Sequence, residues 1–168
     1  MDTAAGFAIR HAQPADAPEL TRIVRTSGAY AGPYRVMVAP LTIDKTYLAT
    51  NPVRVCVDDQ GRVAGFASLL LPGRGLDGEA ELDFLFVTDD QQGRGIGRAL
   101  MADITVVALR LGARCIHIVS HPPAEPFYRS LGALRVGEVP PFGRVTWSRP
   151  LLRLDIAAPG VSGFTMTK

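Results

Sequence analysis

The segment from Glu81 to Leu100, ELDFLFVTDDQQGRGIGRAL, constrains the fold of this chain more than any other. Its first half ends in the aromatic and β-branched run Leu85 to Val87, which is typical of a mostly buried strand that ends near Thr88. A glycine-rich turn follows, and then apolar residues recur at helical spacing: Ala99, Leu100, Ile104, Val107, Ala108 and Leu111. The segment therefore predicts a strand, a glycine-rich turn and a helix.

This turn has the character of an anion-binding site. Backbone N–H groups at the start of a helix have no partner within the helix, and they lie at the positive end of the helix dipole. Glycines at positions 93, 95 and 97 leave the approach to these groups open. The ligand that this pattern predicts is a phosphate or a pyrophosphate.

Glycine spacing separates the kinds of phosphate-binding turn. A dinucleotide-binding turn needs G-x-G-x-x-G, but the third glycine position is occupied here by Arg98 or Leu100, depending on the starting glycine. A Walker-type loop needs Gly-Lys followed by Ser or Thr, and neither lysine of this chain follows a glycine. The pattern that remains is Gln/Arg-x-x-Gly-x-Gly, formed by Gln92, Gly95 and Gly97.

Length and composition are typical of one globular domain. A chain of 168 residues can bury roughly 70% of the surface that it exposes when unfolded. No run approaches about 18 apolar residues, and the N-terminus lacks the basic and apolar regions of a secretory signal. We expect one domain over residues 1–156, a flexible tail over 157–168, no membrane span and a cytoplasmic location.

Charge and cysteine content argue against nucleic-acid binding, a disulfide framework and a metal site. The net charge is +2 and the arginines are spread along the chain, so we expect no nucleic-acid binding. Cys56 and Cys115 fall in predicted apolar strands, where free cysteine behaves as a small hydrophobic residue. Two such cysteines predict neither a disulfide framework nor a metal site.

The remaining elements follow from periodicity and from glycine and proline positions. Pro14 to Glu19 is typical of a helix entry, with Leu20, Ile23 and Val24 as the buried stripe, and residues 27–40 are predicted to be irregular. Short helices are predicted at 42–49 and 124–132. The other predicted strands are 7–11, 53–57, 63–71, 115–119, 134–139 and 144–156.

Two segments together resemble the GNAT acyltransferase superfamily. The glycine turn resembles its acetyl-CoA-binding motif, and Glu125 to Ala133, EPFYRSLGA, resembles its second signature, a Phe-Tyr pair near a helix start. The predicted element order over residues 7–156 is similar to that of the family. The resemblance implies an α/β (α+β) fold: a mixed central sheet of about six to seven strands, helices on both faces and splayed central strands.

The resemblance also implies a cofactor site without a metal. Acetyl-CoA would be the acyl donor, and the main chain of Leu85, Phe86 and Val87 would pair with its pantetheine arm like an added strand. At Pro123, related proteins often carry an asparagine that contacts pantetheine, and proline offers neither an amide side chain nor a backbone donor. The pyrophosphate would be held at Gln92, Gly93, Arg94, Gly95, Ile96, Gly97 and Arg98.

Acyl transfer from a thioester to an amine needs a neutral amine and a proton for the departing thiolate. The resemblance implies Glu81 as the base, with Asp83 on the same strand face, or a water chain, as the alternatives. Tyr128 is the implied acid. Each has a simpler interpretation, since the carboxylates could cap an exposed strand end and Tyr128 could be core packing.

The acceptor side is less defined. His121, at a strand end, is a candidate for substrate contact, whereas His117 lies in an apolar strand and is more typical of a packed histidine. The irregular segment and the last hairpin predict a partly aromatic acceptor pocket. Its candidate residues are Tyr30, Tyr34, Arg35, Met37, Phe142 and Trp147.

The functional hypothesis is an acetyl-CoA-dependent N-acetyltransferase in which the amine attacks the thioester directly. The acceptor would be a small-molecule amine or a protein N-terminus, and the loops that select it are the least readable part of the sequence. Alternatives are a transferase for a larger acyl-CoA and a CoA-binding sensor or partner domain of the same fold without turnover. Homodimers are common among similar proteins, which leaves a homodimer open.

Overall fold

The computed structural model describes residues 5–156, so the predicted tail at 157–168 lies outside the described residues. Seven strands form one sheet in the order β1-β2-β3-β4-β5-β7-β6. Neighbouring strands are antiparallel except β4 and β5, which are parallel. The strands are β1 (Phe7–His11), β2 (Val53–Asp58), β3 (Val63–Leu70), β4 (Glu79–Val87), β5 (Cys115–Val119), β6 (Leu134–Val139) and β7 (Arg149–Asp155).

Helices cover both faces of this sheet. They are α1 (Ala17–Thr26), α2 (Arg35–Val38), α3 (Lys45–Thr50), α4 (Ile96–Arg110) and α5 (Glu125–Ser130). The predicted stripe of α1 is fully buried against β2, β3 and the aromatic end of β4. On the other face α4 buries Leu100, Ile104 and Ala108 against β2, β3 and β4. The predicted mixed sheet with helices on both faces is confirmed.

No helix within residues 5–156 is long and apolar enough to cross a membrane.

Two predicted starts differ from the structure by three residues or more. Helix α3 begins at Lys45 and not at residue 42, because the Asp44 carboxylate accepts the Tyr47 backbone N–H at 2.8 Å and caps the helix there. Strand β7 begins at Arg149 and not at residue 144, because the preceding residues turn back through an isolated bridge between Phe142 and Val145. The irregular segment at 27–40 contains two 3-10 turns followed by α2.

The parallel strands β4 and β5 separate partway along their length. Their pairing joins Glu79–Leu82 to Cys115–Ile118 and ends there. Beyond that point β4 continues to Val87 while paired with β3, and β5 continues to Val119 while paired with β7. The second half of β4 therefore presents backbone groups toward the gap. This is the predicted separation of the central strands.

A bulge at the same place changes which side chains of β4 share a face. Leu69 of β3 pairs with Leu82, but the preceding Ser68 pairs with Phe84, so Asp83 is an extra residue on β4. Leu82 and Leu85 consequently both pack on the α4 side, whereas Phe84 packs on the α1 side. The bulge re-aims the end of β4 where the strands part.

Candidate active site

A cleft of about 490 Å³ opens where β4 leaves β5. It is lined by the end of β4, the glycine turn, the first residues of α4 and the start of α5. Every predicted cofactor-binding residue except Arg94 lines it, together with Tyr128. The other lining residues are Ser27, Ala29, Tyr30, Gln91, His121, Ala124 and Phe127.

The start of α4 leaves its backbone donors unoccupied by the described residues. The N-cap is Gly95, with φ +81°, and no side chain caps the helix. The first hydrogen bond of the helix runs from Ala99 N–H to the Gly95 carbonyl at 3.0 Å. The N–H groups of residues 96–98 thus have no partner within the helix, and they can bind an anion from the cleft.

The three glycines of the turn serve two purposes. Gly93 and Gly95 adopt positive φ, which favours glycine, and both lie in open space. Gly97 is ordinary helical backbone, but a Cβ there would lie 3.3 Å from the Phe127 ring. Glycine at position 97 therefore lets α5 pack directly against the start of α4.

Side chains around the turn fix the two helices relative to one another. Arg98 Nη2 donates to Ser130 Oγ at 2.9 Å, and Ser130 Oγ donates to the Phe127 carbonyl at 2.6 Å. Arg98 thus links α4 to α5 and places a cation beside the free N–H groups. Arg94 lies over the ring of Phe7, with its guanidinium carbon 5.0 Å from the ring centroid, on the outside of the turn.

Tyr128 is a buried tyrosine at the cleft wall. Its side chain belongs to the core cluster of α4 and packs edge-to-face on Phe127 at 5.3 Å. Burial raises the pKa of the Tyr128 hydroxyl, with a further contribution from Tyr30. The hydroxyl is therefore protonated at neutral pH and can act as a hydrogen-bond or proton donor.

His121 and Tyr30, two of the acceptor-side candidates, form a stacked pair inside the cleft. Their ring centroids are 4.1 Å apart, and Tyr34 meets the His121 ring edge-on at 4.5 Å. His121 Nε2 lies 2.8 Å from the Ala29 carbonyl, which can only accept, so Nε2 carries the proton. Burial lowers the pKa of His121, so the ring is neutral and its buried Nδ1 offers a lone pair with no partner among residues 5–156.

Sequence contained two signals for this pair, namely a histidine at the end of β5 and a tyrosine in the irregular segment. It gave no sign that they meet, because the contact spans 91 positions. Tyr30 also stacks on Phe86 at 5.4 Å, and burial raises the pKa of Tyr30 to about 12. Tyr30 therefore connects the segment that follows α1 to Phe86 on β4 and to His121 after β5.

The two predicted base candidates have different surroundings. Glu81 lies in the paired part of β4, opposite His117, where its carboxylate is 3.4 Å from Arg74 Nη1 and outside the set that lines the cleft. Asp83 is the bulge residue at the point of separation, and it too lies outside the set that lines the cleft. Its carboxylate accepts the Tyr47 hydroxyl at 2.5 Å. Asp83 is exposed overall, but partial desolvation of its carboxylate raises its pKa, and the hydrogen bond from Tyr47 partly opposes this shift.

The predicted acceptor residues divide into two groups. Tyr34 packs edge-on against Trp147 at 5.0 Å, which extends the aromatic cluster from His121 to the loop before β7. Three others lie elsewhere: Arg35 donates to the Arg25 carbonyl at 2.6 Å, Met37 packs in the core under α1, and Phe142 is 83% exposed.

A second cavity of about 610 Å³ lies between α1 and the β2–β3 turn. Its charged lining consists of two arginines and five acids: Arg22, Arg62, Asp16, Glu19, Asp58, Asp89 and Asp90. This excess of carboxylates disfavours a phosphate-bearing ligand. The cleft at the start of α4 is therefore the better anion site.

Comparison with known proteins agrees with this architecture. A sequence model described as "Acetyltransferase (GNAT) family" matches residues 24–133. That range includes the glycine turn, α4, β5 and α5.

Relatives and solved structures show the same likeness. A human protein named "Spermidine/spermine N(1)-acetyltransferase-like protein 1" is 26% identical over an alignment of 142 residues. The alignment covers 76% of this chain, and the chain spans only 20% of that relative's length. A GNAT-family protein from Desulfovibrio desulfuricans has 22% identity and a TM-score of 0.74, covering 90% of this chain and 99% of that one. The protein yncA of Salmonella typhimurium, solved with its cofactor acetyl-CoA, has 24% identity and a TM-score of 0.68, covering 93% and 99%.

Proposed function

The chain belongs to the GNAT family of acetyltransferases, and on this basis we propose that it transfers the acetyl group of acetyl-CoA to an amine. One observation carries the proposal. The uncapped start of α4, the free edge of β4 and the buried Tyr128 hydroxyl all meet in one cleft. These are an anion site, a set of backbone partners for an extended chain and a proton donor.

The pyrophosphate of CoA would bind the N–H groups from Gly93 to Arg98. Negative charge is favoured there by the helix dipole, and the Arg98 guanidinium adds a cation. The pantetheine arm would lie along Leu85 to Val87, where β4 has left β5. Support for this donor comes from yncA of Salmonella typhimurium, which was solved with acetyl-CoA.

In the proposed reaction the amine nitrogen attacks the thioester carbonyl and the C–S bond breaks. The departing thiolate takes the proton of Tyr128. The attacking nitrogen, which is positively charged once it has bonded to the carbonyl carbon, loses a proton to Asp83 or Glu81, directly or through water. The products are an amide and CoA with a free thiol. No covalent enzyme intermediate is needed, and Cys115 is fully buried with a thiol pKa raised by burial, which argues against a cysteine nucleophile.

The acceptor would enter beside the aromatic cluster of Tyr30, Tyr34, His121 and Trp147. Flat aromatic walls accept both apolar groups and cationic amines. A small-molecule amine or a protein N-terminus fits this description. Polyamines belong in a test panel because of the name of the human relative.

Two measurements on purified protein separate turnover from binding. Calorimetry with CoA is expected to show saturable binding, and free thiol is expected to appear from acetyl-CoA only when a suitable amine is present. The panel contains polyamines, amino acids, aromatic amines and short peptides with free N-termini. Binding without thiol release from any amine would favour the sensor alternative, and absence of binding would contradict both.

A further inference from the structure

We propose that Glu79, Cys115 and His117 form a zinc-binding site on the face of the sheet opposite α4. The ligand atoms would be a Glu79 carboxylate oxygen, the Cys115 thiolate and a ring nitrogen of His117. All three atoms lie within 4.8 Å of one another. This mixed set of sulfur, nitrogen and oxygen is one that Zn²⁺ accepts in proteins.

The register of the paired half of β4 and β5 brings these residues together. Glu79 lies opposite Cys115, and His117 is two residues further along β5, so the three side chains share one face. Zinc–ligand bonds of about 2.0–2.3 Å put neighbouring ligand atoms roughly 3.3–3.8 Å apart in a tetrahedral site. His117 Nδ1 and Glu79 Oε2 are already 3.5 Å apart. Small rotations of the three side chains would bring all of the ligand atoms to the distances of a tetrahedral zinc site.

Burial supplies an independent reason to expect a ligand. Cys115 is fully buried, and Glu79 and His117 are each only 8% exposed. Glu79 Oε2 and His117 Nδ1 are both buried without a hydrogen-bond partner in the part of the chain that the structure describes. Buried polar atoms are almost always paired, and a bound cation would satisfy both of these.

Arginine and carboxylate side chains surround the proposed ligands. Arg153 Nη1 lies 3.6 Å from Glu79 Oε1, and Arg153 Nε donates to Asp155 at 2.8 Å. Arg153 thus orients the carboxylate by one oxygen and leaves the other directed at His117, as outer residues do around metal ligands. Arg114 is a second cation whose charge acts on Cys115. With a Cys115 thiolate, Zn²⁺ and the two arginines would face the thiolate and the two carboxylates, which leaves a net charge of +1.

The site is separate from the proposed acetyl-CoA cleft. Its three residues lie in the part of β4 and β5 that is still paired, and none of them lines the cleft. The loop before β4 packs closely on this end of the strand, since a Cβ on Gly73 would lie 2.4 Å from Glu81 N. A metal here would hold β4 and β5 together just before they separate. Counting cysteines could not reveal the site, because the register that places Glu79 beside Cys115 is not visible in sequence spacing.

Metal uptake by tag-free, metal-depleted protein kept under a reductant tests this proposal. Titration with Zn²⁺ is expected to saturate at one equivalent and to raise the thermal unfolding midpoint. Titration with Co²⁺ is expected to produce a thiolate-to-cobalt charge-transfer band. The band should disappear in Cys115→Ser and should persist in Cys56→Ser, which removes the other buried cysteine. His117→Gln should lower Zn²⁺ affinity by about 10–100-fold or more.

The wild-type spectrum decides the question even if a variant fails to fold. A wild-type protein with no charge-transfer band and no saturable Zn²⁺ uptake would overturn the proposal. So would a band that survives in folded Cys115→Ser. Either result would mean that Glu79 and His117 simply interact with one another. Thiol release and CoA binding are separate measurements, so this outcome leaves the acetyltransferase proposal untouched.

Discussion

Tyr128 is the residue on which the proposed chemistry depends most. Its hydroxyl is protonated at neutral pH, as an ordinary tyrosine is, and burial raises its pKa further. The residue lines the cleft with the glycine turn. The same burial is what a purely structural tyrosine would show. Removing only the hydroxyl separates the two roles, because phenylalanine keeps the ring packing.

We predict that Tyr128→Phe lowers kcat by about 10²-fold or more, the usual contribution of a general acid. KM for acetyl-CoA should change little, because the phosphate and pantetheine contacts are elsewhere. Steady-state thiol release measures both quantities, and a thermal unfolding midpoint close to that of the wild type verifies packing. An unchanged kcat would identify Tyr128 as a core residue.

Asp83 provides a test of the base through pH dependence. A base acts in its deprotonated form, so kcat/KM falls as pH drops through the pKa of that group. The Tyr47 hydroxyl donates to Asp83 and lowers its pKa. If Asp83 is the base, Tyr47→Phe should raise that pKa and move the acidic limb of the kcat/KM profile to higher pH.

Two further variants identify the residue that titrates in the acidic limb of the kcat/KM profile. Asp83→Asn should abolish it if Asp83 is the base, and Glu81→Gln should leave it in place. The reverse pattern, with the limb unmoved in Tyr47→Phe and lost in Glu81→Gln, would assign the base to Glu81.

At the scale of elements, α4 has matched glycines at its two ends. Gly95 precedes the helix and Gly112 follows it, both have positive φ, and a Cβ on either would meet no atom within 4 Å. The backbone strain of a substitution is therefore similar at the two positions. They differ in that Gly95 lies at the free N–H groups of the helix start, in the cleft.

We predict that Gly95→Glu weakens CoA binding by more than about tenfold, because a carboxylate would compete with the pyrophosphate and repel it. Gly112→Glu should bind CoA as the wild type does, although it has the same backbone strain. Calorimetric titration of both variants with CoA measures this. Equal affinity in the two variants would refute the assignment of the turn.

The contact between α4 and the sheet includes an ion pair. Arg54 of β2 binds Asp103 of α4 through two hydrogen bonds, of 2.6 and 3.1 Å, and the two side chains are only 15% and 21% exposed. We predict that Asp103→Ala lowers the free energy of unfolding by about 1–3 kcal/mol, because it leaves a mostly buried guanidinium unpaired. Removing a partner of the exposed Arg22–Glu19 pair by Glu19→Ala should cost less than about 1 kcal/mol. Urea denaturation of both variants gives the comparison.

At the scale of the whole molecule, local patterns predicted most of the architecture. Strands β1, β5 and β6 match their predicted bounds at both ends, because each is a short run bounded by glycine, proline or a polar turn. The glycine turn and the helix after it were predicted from spacing alone. Element order then gave the mixed sheet through resemblance to the family.

Long-range contacts were beyond local patterns. The bulge at Asp83 depends on the register between β3 and β4, and it decides which β4 side chains face α4 and α5. The stacking of Tyr30 on His121 and the approach of Glu79 to Cys115 likewise join distant segments. Sequence identified several of these residues as candidates, but only the folded chain shows which of them share a site.

The central claim is that acetyl-CoA and an amine react in the cleft between β4, α4 and α5. The most direct measurement incubates the protein with acetyl-CoA carrying an isotopic label in the acetyl group, together with the amine panel. Mass spectrometry should find the label on an amine nitrogen, at a rate reduced in parallel by Tyr128→Phe and Gly95→Glu. If CoA binds but no amine acquires the label above the level without protein, the acetyltransferase proposal is contradicted.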